Sequence, residues 1–70
     1  MQAMPKISLK AARVNANLTQ KQAAERLQVC LSTLQNYEAG RTVPDWEVVR
    51  RIEQVYGIPV DNIFFEANYA

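Results

Sequence analysis

Four side chains within six residues, Leu31, Ser32, Gln35 and Asn36, recur at helical spacing. Together they offer one hydroxyl, two amides and one apolar contact. A primary amide sets a donor beside an acceptor, which matches N6 and N7 of adenine. A serine hydroxyl donates or accepts, and a leucine packs on a thymine methyl. Leu34 and Tyr37 interleave with the four and face the other way, towards a core. Taken alone, the set is equally an ordinary solvent-facing helix surface.

The elements that must position this set are short. Thr19 is an N-cap, and Gln22 three residues later completes a capping box. Ala23, Ala24 and Leu27 form the inward face of the helix that follows. Gln28-Val29-Cys30 is the turn, with Val29 inward. The next helix runs from Leu31 to Ala39 and stops at Gly40, which supplies a left-handed end. Two helices with so short a turn cross steeply, and the second can project into the major groove of DNA.

The flanks add three more helices. Ser8 caps the first, with Leu9, Ala12 and Ala16 on its apolar stripe and a stop at Asn15–Asn17. After the loop Arg41-Thr42-Val43-Pro44, Asp45 caps a fourth helix with Val48, Val49, Ile52, Val55 and Tyr56 inward. Trp46 at its start either packs over the loop or lies beside a phosphate. Gly57 ends that helix, and Ile58-Pro59-Val60 leads into a fifth, about Val60 to Phe65, with Ile63 and Phe64 inward. The expectation is an all-α, compact five-helix bundle with no strands. Residues 1–7 are a flexible N-terminal segment, 8–65 the domain and 66–70 a C-terminal tail.

Composition narrows the function classes. Seventy residues make one small domain with a limited core. One Cys and no His exclude an intrachain disulfide and a Cys/His zinc site. No apolar run is long enough for a membrane span, and the N-terminus lacks the apolar core of a secretory signal, so the expected location is cytoplasmic. An enzyme is not expected, because there is no glycine-rich phosphate loop, no metal-ligand cluster and no nucleophile with an evident base. Neither a metal, a cofactor nor a small-molecule substrate is implied. The net charge is only +1, but it is unevenly spread. Residues 1–41 carry six Lys or Arg against two Glu, a net +4, and residues 42–70 carry two Arg against five acids, a net −3. A basic side opposed by an acidic one steers the domain towards phosphates.

An ordered series runs through the chain: Arg13, Leu18-Thr19-Gln20, Ala24, Leu27, Ser32-Thr33-Leu34, Glu38, Gly40, Pro44, Tyr56-Gly57-Ile58 and Asp61-Asn62-Ile63-Phe64. In this series the chain resembles the phage repressor and Cro (XRE-like) helix-turn-helix family from about Leu9 to Phe65. The resemblance implies a lambda repressor-like DNA-binding domain. It implies base reading by Leu31, Ser32 and Asn36, with Gln35 on the same face. It implies backbone contacts by Thr19, Gln20, Arg41 and Thr42, with Cys30 at the start of the reading helix, and an ion pair between Arg13 and Glu38. It also implies a homodimer on a palindromic operator of double-stranded DNA, joined through the C-terminal region, where Phe65 and Tyr69 supply apolar surface. The function implied is a sequence-specific transcriptional regulator, a repressor. An antitoxin that also binds a toxin shares the fold, and a protein-interaction module that has lost DNA binding is the alternative of another class. Three positions depart from the family pattern: Gln28 replaces Gly, Cys30 replaces a capping Ser or Thr, and Ala39 replaces Asn.

Overall fold

A computed structural model describes residues 7–64. Four α-helices make up most of it: α1 (Leu9–Asn15), α2 (Gln20–Leu27), α3 (Leu31–Ala39) and α4 (Trp46–Tyr56). Each start follows from a residue with a side-chain oxygen, except at α3. Ser8 Oγ accepts the Ala11 N–H at 3.0 Å, and Asp45 Oδ1 accepts the Val48 N–H at 3.1 Å. The capping box of α2 is complete. Thr19 Oγ1 accepts from the Gln22 amide at 3.1 Å, and Gln22 Oε1 accepts from the Thr19 amide at 3.0 Å. Such caps satisfy N–H groups that have no partner within the helix.

Left-handed residues end the helices. Asn17, Gln28, Gly40 and Gly57 have φ of 61°, 62°, 79° and 69°. Behind three of them an N–H reaches back to the carbonyl five residues earlier: Leu18 to Arg13, Val29 to Ala24 and Arg41 to Asn36. This closure lets the chain turn sharply from one helix into the next.

The core lies where the four helices meet. Leu27, Leu34 and Ile52 are its largest fully enclosed side chains, with Leu9, Val48, Tyr56 and Ile63 around them. Ala12, Ala23 and Ala24 are also buried, and their small size lets backbones approach closely. Enclosing a leucine or isoleucine contributes about 1.5–3 kcal/mol, so the position of α3 rests chiefly on Leu34. Val29, placed inward from the sequence, and Tyr37 are only partly covered.

Two expectations need correction. The fifth helix is a single 3-10 turn, Val60–Asn62, and the chain contains strands. Ile63–Phe64 (β2) pairs in parallel with Ile7–Ser8 (β1), with Ile7 opposite Ile63 and Ser8 opposite Phe64. Pro59 opens the turn, and Glu53 Oε2 accepts the Val60 N–H at 2.8 Å. Three residues are too few to repay helix nucleation. Extended backbone at Ile63 finds its hydrogen bonds on the opposite end of the domain instead. Ile7, left in the N-terminal segment by the sequence, is therefore part of a ladder that joins the two ends.

Candidate nucleic-acid interface

The geometry of α2 and α3 rests on the turn Gln28-Val29-Cys30. Gln28 holds the left-handed conformation without being glycine, and Val29 packs against the core. Arg51 of α4 donates from Nη1 to the Leu27 carbonyl at 3.1 Å. A cation there satisfies one open carbonyl and complements the negative end of the helix. Cys30 is exposed and makes no side-chain cap bond. The first-turn amides of α3 are thus left without a side-chain acceptor, in contrast to those of α2 and α4. Open N–H groups at a helix start favour an anion such as phosphate.

Behind α3 lies a chain of polar side chains that begins in the interior. Arg13 Nε donates to Glu38 Oε2 at 2.7 Å, and Nη2 reaches Oε1 at 3.4 Å. The side chains of this pair are only 9% and 5% exposed. Nη1 of the same guanidinium donates to the Leu18 carbonyl at 2.9 Å. One arginine therefore ties α1, the segment entering α2, and α3. A buried pair of this kind adds little net stability but is costly to break singly. Glu38 Oε1 also accepts from Gln20 Nε2 at 3.0 Å. Gln20 Oε1 in turn accepts from Gln35 Nε2 at 3.4 Å.

Two phenols border this region. Tyr56 is 6% exposed, and its hydroxyl has no hydrogen-bond partner among the described residues. Burial pushes its pKa up to about 12; the Glu38 carboxylate adds to the rise and the Arg13 guanidinium opposes it. Tyr37 is also raised, first by burial and then by the Asp45 carboxylate. Both remain neutral at ordinary pH.

The outer face of α3 carries the four residues with base-reading chemistry. Leu31, Ser32 and Gln35 are exposed, and Asn36 is half-buried. Asn36 Oδ1 accepts from Arg41 Nη1 at 3.3 Å. Arg41 and Thr42 are exposed beyond the C-terminal end of α3, and Thr19 is exposed at the start of α2. Gln20, also at that start, turns its amide to Glu38 and Gln35. Trp46 is 70% exposed, so it does not pack over the loop. Phe65 and Tyr69 lie outside the described residues.

Neither the Gln20 bridge nor Arg51 at the end of α2 is legible in local sequence patterns. Glu38 has more acceptor sites than Arg13 fills, which calls for a further donor. Which donor it is depends on the approach of α2 to α3, and no local pattern encodes that.

No helix among the described residues is long and apolar enough to cross a membrane. Among these residues no group of three or more His, Cys, Asp or Glu is arranged to hold a metal ion.

The chain is 38% identical over 53 residues to the HTH-type transcriptional regulator ImmR of Bacillus subtilis (strain 168). That match covers 76% of the chain but only 42% of the relative, so it spans less than half of that protein's length. No solved structure gives a significant match. The family model described as helix-turn-helix domain matches residues 7–63. That span takes in all four helices and most of the closing strand pair, and the chain belongs to the helix-turn-helix domain family.

Proposed function

We propose that this protein is a sequence-specific DNA-binding transcriptional regulator, a repressor, that reads the major groove with α3. The observation that carries this reading is the outer face of α3. Leu31, Ser32 and Gln35 stand exposed there, with Asn36 beside them, at the end of a helix-turn-helix unit that a buried ion pair holds in place. Base edges supply specificity. Thr19 at the start of α2, Cys30 and the open amides of α3, and Arg41 with Thr42 supply backbone contacts. Residues 8–65, with Ile7 added by its pairing, form the DNA-binding unit.

One such domain covers one half-site. Two copies on a palindromic operator, with half-sites about one helical turn apart, double the contact. Phe65 and Tyr69 supply the contact between copies. The expected location is the cytoplasm.

Selection of bound duplexes from a random DNA pool tests the reading. A palindromic consensus is expected. Recovery of unenriched sequence contradicts it and favours a domain whose α3 face docks on protein.

A further inference from the structure

We propose that Arg41 makes Asn36 a reader of guanine rather than of adenine. The inference rests on the reading of α3 as the DNA-facing helix and names a base that this helix selects.

The residue type alone points the other way. A free asparagine amide offers an acceptor beside a donor, which matches adenine N6 and N7. In the folded chain the amide is not free. Arg41 follows Gly40, whose left-handed φ of 79° turns the chain back over the last turn of α3. The Arg41 N–H then reaches the Asn36 carbonyl at 3.0 Å. From that anchored backbone the side chain returns to the same residue, and Nη1 donates to Asn36 Oδ1 at 3.3 Å.

A guanidinium has donors and no acceptor. It therefore takes the oxygen end of the Asn36 amide and leaves the nitrogen end for another partner. Asn36 Nδ2 makes no hydrogen bond among the described residues. Among these residues Arg41 is in no ion pair; the one salt bridge is Arg13 with Glu38. The two side chains together thus offer a ligand N–H groups backed by a positive charge.

Guanine shows two acceptors, O6 and N7, on its major-groove edge and fits such a set. Adenine places an N6 amino donor beside N7. To accept from N6, Oδ1 must leave Arg41 or draw the amino group against the guanidinium, donor to donor. The adenine complex therefore gives up a charge-assisted hydrogen bond or meets a repulsion. Arg41 is in this sense a positioning residue for Asn36, whatever phosphate its remaining N–H groups hold. A lost phosphate contact weakens all sequences alike, whereas lost positioning changes which base is preferred.

The test uses the full 70-residue chain, the duplex that wins a random-pool selection, and the set of its single-base-pair variants. The base pair read by Asn36 is the one at which Asn36→Ala loses selectivity. There the wild type is expected to prefer guanine over adenine by about tenfold or more, the range of a good base contact. Arg41→Met removes the guanidinium and keeps the backbone N–H that closes α3, so the thermal midpoint should not move. At that base pair the variant should favour adenine, reversing the ratio. A flatter salt dependence follows from any phosphate contact, so the guanine-to-adenine ratio at one salt concentration decides. A wild-type preference for adenine overturns the proposal while leaving sequence reading by α3 intact. An Arg41→Met variant that weakens both duplexes alike makes Arg41 a phosphate contact only and overturns it too. So does an Asn36→Ala variant that keeps full selectivity at every base pair. A wild-type chain that selects no sequence overturns the underlying functional reading as well.

Discussion

Arg41 is tied to Asn36 twice. Its amide donates to the Asn36 carbonyl at 3.0 Å, and its guanidinium Nη1 lies 3.3 Å from Asn36 Oδ1. The backbone bond closes the end of α3 around Gly40, and the side-chain bond sets the Asn36 amide beside a positive charge. The sequence suggests these residues as separate contacts, one to a base and one to a phosphate. The structure joins them, so a phosphate bound by Arg41 would fix the side chain next to the amide.

Arg41→Ala should therefore do two things. The log–log dependence of affinity on salt should flatten by about one unit, the share of one phosphate contact. Selectivity at the base pair read by Asn36 should also fall, because its amide loses its brace. Titrations at several salt concentrations on selected and altered duplexes measure both. An unchanged slope removes Arg41 from the phosphate contacts.

Arg13 and Glu38 should show strong coupling. Arg13→Met leaves a carboxylate enclosed and facing only Gln20, and should cost about 3 kcal/mol. Glu38→Leu should cost a similar amount through the stranded guanidinium. The double variant should be less destabilised than the two single losses added together, by about 1–3 kcal/mol. Denaturant unfolding of the four proteins gives the cycle, and additive losses would refute an energetic link.

Tyr56 predicts an alkaline weakness. The unfolded chain releases the phenolic proton near pH 10, whereas the folded protein holds it until about 12. Stability from this group is full below pH 10 and falls as pH rises from 10 towards 12, by roughly 2–3 kcal/mol. Tyr56→Phe should remove that fall and leave only the part due to Tyr37. At neutral pH the same change removes a buried hydroxyl that has no partner among the described residues. It should leave stability equal or raise it by about 1 kcal/mol. Unfolding curves from pH 7 to 12 compare the two proteins. An equal alkaline decline in both contradicts the burial argument.

Gln28 holds a left-handed φ of 62° with a full side chain. That conformation costs a non-glycine residue roughly 1–2 kcal/mol, and the added unfolded-state freedom of glycine offsets part of the relief. Gln28→Gly should stabilise by about 0.5–1 kcal/mol, visible as a higher denaturant midpoint with an unchanged slope. A lower midpoint would show that the Gln28 side chain contributes a contact of its own.

Local patterns made the helical frame legible. Ser8, Thr19 with Gln22, and Asp45 mark the starts because capping is decided within four residues. Gly40 and Gly57 mark two of the ends for a similarly local reason. The apolar stripes through Leu27, Leu34 and Ile52 correctly located the core. The closing segment was not legible. Val60 to Phe65 has helical spacing, but the backbone of Ile63 and Phe64 pairs with Ile7 and Ser8, more than fifty positions away in the chain. The links from Gln20 to Glu38 and from Arg51 to Leu27 are likewise products of tertiary approach. Arg13 and Glu38, 25 residues apart, were foreseen only through the family resemblance.

Sequence reading by α3 is open to direct test at Asn36. The measurement compares wild type and Asn36→Ala on the selected duplex and on random DNA at one salt concentration. A loss of about 1–3 kcal/mol is expected on the selected duplex and almost none on random DNA. Equal losses on both, or no loss on either, would contradict it.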